Sequence, residues 1–286
     1  MTSGTSHEPF QSIAWKINAE RAVLLGWGAA VAMQFAHPLV AQGVADHSVA
    51  VARPRERFRR LRHTIDAMLA LTFGTPEEAA QAARGIMRIH DRVHGQLPLA
   101  VGPHPAGAAY SAHDPALLLW VHATLLYALP RAYHLFVGPL SAEEQERFCA
   151  EAAGMNVVFG VPASEMPRST TELQAYMGRM IDGGTLAAGE ASRELIGMLL
   201  APPLGLLIYL PTVGLMPPAI RELHGLRWSM YHESALRGLG WLSRRIVPLL
   251  PAIWRYWPAA RRAMAAPTPD RVHTPSQPKL TANELR

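Results

Sequence analysis

The sequence predicts an all-α protein, a single multi-helix domain with little or no sheet. Three observations carry that reading. Apolar residues recur at helical spacing through most of the chain. Helix-start signatures recur with them: Thr75-Pro76 followed by Glu78, Asp114-Pro115, Ser141 with Glu144, and Ser169 with Glu172. Alternating runs of Val, Ile and Thr, the mark of strands, are scarce. At 286 residues and 49% hydrophobic, the chain can bury a sizeable core. Its one cysteine, Cys149, excludes an internal disulfide framework and Cys-rich metal sites. The net charge of +5 comes from arginines spread along the chain, without a dense basic block and interleaved aromatics, so no nucleic-acid partner is expected. A basic, apolar chain suits peripheral contact with an anionic membrane surface instead.

Taken in order, residues 11–35 read as helix until His37-Pro38 breaks it. Residues 53–73 carry a stripe of Phe58, Leu61, Ile65, Met68, Leu69 and Thr72 with an Arg-rich back. The helix opened by Thr75 runs to about His94 and stops at Gly95. After the Asp114 cap, "PALLLWVHATLLYALPRAYHLF" is apolar nearly all round and reads as a central buried helix. Further helices are expected around 142–158, 170–186, 189–200, 227–246 and 248–264. Residues 195–219 carry no charge and have bilayer-spanning length, but Pro202, Pro203 and Pro211 interrupt them. They read as a buried helix–turn–helix or a lipophilic patch facing a membrane or a substrate entrance. The domain is placed at 11–264, with the Pro-rich, polar 265–286 as a disordered tail. The N-terminus has no basic, then apolar, leader pattern, so a cytoplasmic location without signal peptide is expected.

Histidines carry the chemistry. In the Thr75 helix, Ala79, Ala82, Ala83, Ile86, Ile89 and Val93 form the apolar stripe. His90 lies on it, and His94 one turn later lies at its edge. Asp91 falls on the opposite side, where Arg84 or Arg88 can pair with it. "RIHDRVHG" also resembles the zinc-protease pattern H-E-x-x-H, with Asp in the place of Glu. That Asp is one methylene shorter, belongs to a charged face and has no third ligand in a typical place. A plain alternative makes His90 a core histidine bonded to a carbonyl. His37, His47, His63 and His122 complicate that reading, because burying several imidazoles is costly unless each has a partner. A shared metal or cofactor would supply one. An inward histidine in a helical, apolar interior without cysteine ligands suits haem b. Arg60, His63 and Thr64 occupy nearly one turn, either as a polar set over the iron or as a solvated face with Thr64 packed beneath it.

"MQFAHPLVAQGVADHS", "RLRHTIDAMLALTFGT", "RIHDRVHG", "YSAHDPALLLWVHATLLYA" and "VFGVPASEMPRSTTELQAYMGRMI", in this order, resemble the MpaB-like oxygenase family, over roughly residues 13–258. That family shares its catalytic-domain type with the latex-clearing rubber oxygenases and the fungal oxygenase MpaB. The resemblance implies a globin-like helical core with a central b-type haem, and O2-dependent cleavage of carbon–carbon double bonds in isoprenoid chains. It makes His90 the proximal iron ligand, and Arg60 and Thr64 the polar residues of the distal helix, with Arg60 also near the cofactor. His63 falls where rubber oxygenases carry a lysine that caps the iron, and His94 where they carry an arginine. With these departures, His63 either ligates the iron from the distal side or donates a hydrogen bond to O2, and His94 tunes the pocket or neighbours a propionate. His122 matches a family motif as a structural hydrogen-bonding residue or as pocket lining. The expected function is a haem b (iron) oxygenase acting on a small lipophilic, unsaturated substrate. The alternatives are a six-coordinate haem sensor or electron-transfer protein, a zinc-dependent hydrolase using His90 and His94, and a membrane-docking helical protein without cofactor.

Overall fold

A computed structural model describes residues 12–47, 54–154 and 160–265; within the second segment the side chains of 54–58 and 60 also lie outside the description. The described chain is almost entirely helical. Helix α1 (Ile13–Ala19) starts where the Ser12 side chain accepts a hydrogen bond from the Trp15 amide. A 3-10 turn at Arg21–Val23 separates it from α2 (Leu24–Gln34), so the continuous helix expected over 11–35 is broken once. The chain bends by 107° at His37-Pro38 into α3 (Pro38–His47). Helices α4 (Pro54–Phe73) and α5 (Pro76–His90) form a hairpin. Their joint is the predicted capping box: Thr75 accepts from the Glu78 amide while the Glu78 carboxylate accepts from the Thr75 amide.

Two short strands follow, β1 (His94–Gln96) and β2 (Ala109–Ser111), antiparallel with His94 opposite Ser111. Helix α6 (Pro115–Phe136), capped by Asp114, is the axis of the fold. Helices α7 (Ala142–Ala153), α8 (Thr170–Asp182), α9 (Glu190–Leu199), α10 (Leu204–Gly214), α11 (Pro218–Leu223) and α12 (Met230–Ile246) surround it. A 3-10 turn at Val247–Leu249 and the short α13 (Ala252–Arg255) and α14 (Pro258–Ala265) replace the single helix expected over 248–264, because Pro248, Pro251 and Pro258 interrupt it. The tail from 266 onward lies outside the described residues.

The core sits between α2 and α6. Ala29, Ala30, Ala32 and Met33 of α2 are fully buried, and so are Trp120, Ala123 and Phe136 of α6. Close approach needs small residues: a Cβ on Gly26 would meet the Ala132 methyl at 2.7 Å. Each large side chain enclosed here contributes about 1.5–3 kcal/mol relative to exposure. A second cluster ties the chain ends together, with Ala19, Phe73 and Ala260 buried and Trp15 edge-on to Phe73 at 5.2 Å. Beside it, buried Glu20 receives Arg255, whose Nε and Nη2 lie 2.8 and 2.5 Å from Glu20 Oε1. Two nitrogens of the one guanidinium keep this buried charge compensated.

The charge-free 195–219 run divides between α9 and α10, which meet at 118°. It is a helix–turn–helix, as expected. Val213 and Thr212 are buried, but Leu204, Leu206 and Leu207 face outward. Among the described residues, no single helix is long and apolar enough to cross a membrane.

Candidate functional site

The α5 helix ends at His90, earlier than its sequence suggests. The Asp91 amide bonds to Met87 and the Arg92 amide to Ile89, after which the chain leaves the helix. The Val93 carbonyl then accepts from the Ala112 amide at 2.8 Å, and β1 begins at His94. His94 is therefore on a strand and exposed, not on the helical face of His90. Its carbonyl lies 3.1 Å from His47 Nε2 and its ring 6.5 Å from the His47 ring. The paired-histidine reading of "RIHDRVHG" fails on this geometry. Among the described residues, no group of three or more His, Cys, Asp or Glu side chains is placed to hold a metal ion, so neither a zinc cluster nor one metal shared by several histidines is assembled.

His90 itself is half-buried, and its Nδ1 is enclosed without a hydrogen-bond partner. Its ring stands edge-on to His113 at 6.0 Å. Burial, reinforced by the neighbouring His113, lowers its pKa, while Asp91 opposes that shift. The ring is thus held neutral, the form in which imidazole binds metals. Asp91 pairs with His113 Nε2 at 2.9 Å rather than with Arg84 or Arg88. The reason is long-range: β1–β2 pairing brings the turn before α6 against the end of α5.

The hairpin borders a cleft of about 1600 Å³. From α4 it is lined by Leu61, His63 and Ile65, from α5 by Ile86 and Ile89, and from the α14 region by Trp257. His90 lies one helical turn beyond Ile86, at the edge of this stripe. Arginines 62, 88 and 262 also line the cleft, with Asp66, Glu77 and Glu78, and Arg62 lies 3.7 Å from Asp66. His63 is exposed, and so is Thr64 beside it. Arg60 lies in α4 by its backbone, and its side chain is outside the described residues.

His122 is elsewhere, sealed within α6 at 4% exposure, and burial pushes its pKa down to about 4. His37 is equally enclosed, with a pKa lowered to about 4 by burial and by His104, whose ring is 5.2 Å away. Three features escaped sequence reasoning. These are His113 as the neighbour of His90, the contact of Tyr110 Oη with Asp46 at 2.5 Å, and the His104 link to the Thr185 carbonyl. All join residues far apart in sequence, and only the Tyr-Ser-Ala-His-Asp run before α6 hinted at the first.

A family model described as the ER-bound oxygenase mpaB/B′ and rubber oxygenase catalytic domain matches residues 15–245. Uncharacterised proteins of Mycobacterium bovis and Mycobacterium tuberculosis are each 26% identical to the chain over 220 residues, covering 74% of it and 82% of each relative. No solved structure gives a significant match.

Proposed function

Because the chain belongs to the mpaB and rubber-oxygenase catalytic-domain family, we propose that it is a haem b-dependent oxygenase that uses O2 on a lipophilic, unsaturated substrate. Oxidative cleavage of a carbon–carbon double bond is the reaction this reading assigns. The observation that carries it is the enclosed Nδ1 of His90, an unsatisfied donor-or-acceptor atom on a ring kept neutral, one helical turn from Ile86 of the cleft lining. A buried polar atom without a partner is costly in a protein that needs it for nothing.

The residues present fit a haem. His90 would hold the iron through its neutral imidazole. Leu61, Ile65, Ile86 and Ile89 would cover the apolar faces of the macrocycle, and arginines 62, 88 and 262 are suited to its carboxylates. When bound, the haem supplies the iron at which O2 is activated. His63 lines the same cleft from α4 and can donate a hydrogen bond to an oxygen placed there, with Thr64 next to it. The apolar wall excludes water and holds a hydrocarbon chain by area alone, which imposes little selection on its polar ends. His94 stands on β1, at the turn that fixes the end of α5, and positions rather than touches. His122 supports the core from within α6.

Protein purified from haem-supplied cells should show a Soret band with stoichiometric iron and no stoichiometric zinc. His90→Ala should lose the haem while keeping its helical circular dichroism; full occupancy in that variant would remove the assignment. The position of His63 in the cleft also favours a second reading, a haem closed on both sides and slow with O2. A ferric low-spin spectrum that becomes high-spin in His63→Ala would select it over the oxygenase.

A further inference from the structure

Helix α12 is apolar on both sides. Leu236 and Gly240 face inward and are buried, a Cβ on Gly240 meeting the Leu135 carbonyl at 2.8 Å. Tyr231 and Leu242 lie opposite, Leu239 and Ile246 on one flank and Trp241 on the other, all exposed, with Arg245 between Leu242 and Trp241. Leu249 continues the helix at 82% exposure. Beside its start, Tyr209 of α10 stands 5.8 Å from His232 and donates to the Arg227 carbonyl, which brings the exposed Leu206 and Leu207 of α10 to the same end. An apolar surface of this extent is not ordinary for a free protein face.

The charge around it has one sign. Helix α12 itself holds three arginines, Arg237, Arg244 and Arg245, and a single acidic residue, Glu233. That one carboxylate is already engaged by the Trp228 indole at 3.1 Å and lies 3.8 Å from Arg237. Arg245 lies over the Trp241 ring at 3.8 Å, so its charge borders the apolar face rather than leaving it. Arg237 is exposed on the flank of the helix, whereas Arg244 is turned toward α6 and donates to the His134 carbonyl at 3.4 Å. A long helix with an apolar outer face, an aromatic at its margin and arginines on its sides is the pattern of a segment lying in the plane of a lipid–water interface. A second copy of the chain suits the face poorly, because a two-fold contact would set arginines against arginines with no free carboxylate in reply.

We propose that α12, with the first turn of α10 and Leu249, seats the protein on the surface of an anionic lipid bilayer. Leu206, Leu242, Ile246 and Leu249 enter the acyl boundary, Trp241 lies at headgroup level, and Arg237 and Arg245 meet lipid phosphates. The proposal stands on this surface alone and does not depend on the haem.

The test is flotation of the full chain with vesicles of phosphatidylcholine, and of phosphatidylcholine mixed with phosphatidylglycerol. The protein should float with the anionic vesicles, and less so as salt is raised. Arg245→Glu should weaken the partition about fivefold or more, and the double change Leu242→Ser with Ile246→Ser about tenfold or more. Both variants should keep the wild-type circular dichroism. Quenching of indole fluorescence by lipid-borne spin labels should fall in Trp241→Phe. Failure of the wild-type protein to float, or flotation that neither variant reduces, overturns the proposal. So does self-association that Leu242→Ser with Ile246→Ser abolishes in a protein that binds no vesicles.

Discussion

The α2–α6 pair and the α4–α5 hairpin are built on opposite terms. Fourteen residues of α6 are buried, among them Trp120, Phe136 and a histidine, and α2 presses small residues against it. In α5 only Ala83 is buried, and in the described part of α4 only Phe73. Yet the hairpin carries His63, Thr64 and His90, the residues with chemistry to offer. Stability and candidate function are thus held in different helices. The hairpin owes its shape to local devices, a capping box and a strand-paired turn, more than to a core of its own. Such an arrangement leaves apolar side chains free to be completed by something other than protein.

Trp120→Ala should separate the two regions most sharply. Removing a fully enclosed indole from the α6 axis should cost about 3–5 kcal/mol in denaturant unfolding, whereas Ile89→Ala on the hairpin, 58% exposed, should cost under about 1 kcal/mol. Equal losses would mean that the hairpin is as much core as the axis. Acid should act on the axis side next. An unfolded imidazole protonates near 6.5, whereas His37 and His122 resist until about 4. The unfolded chain therefore takes up the proton first. Stability is full above about pH 6.5 and declines as the pH falls toward 4, by about 2 kcal/mol per histidine at pH 5. His37→Asn should flatten that slope when unfolding is compared at pH 7.5 and pH 5. The smallest effect belongs to the joint of the hairpin: Thr75→Ala should cost about 1 kcal/mol, and protease sensitivity should rise first at the end of α4.

Signals confined to a few neighbouring residues were readable. Thr75 with Glu78, Ser141 with Glu144 and Asp114 with Pro115 announce helix starts, and each start lies where those residues place it. The apolar girth of "LLLWVHATLLYA" foretells the central axis for the same reason. What the sequence concealed depends on pairing across distance. Nothing near His90 signals that its helix stops there, because the stop is enforced by Ser111 opposite His94 and by Ala112 bonded to Val93. Gly95 ends no helix: it is the middle residue of β1, paired with Tyr110. His113 was visible only as a neighbour of the Asp114 cap, and its place beside His90 comes from the same strand pairing. Of the candidate site, the helices that hold His63 and His90 were legible, while the surroundings of each ring were not.

Gly95 itself has a consequence for anyone who surveys this chain by random mutagenesis. A methyl group there would sit 2.5 Å from the Tyr110 hydroxyl, the same hydroxyl that reaches Asp46. Any side chain at position 95 meets the Tyr110 ring, so a survey should score the position as intolerant as a reacting residue, five positions from His90. The signature would be misleading. An inactive Gly95→Ala should regain function when Tyr110→Leu removes the ring atoms that crowd it, a compensation that no participant in the chemistry would allow.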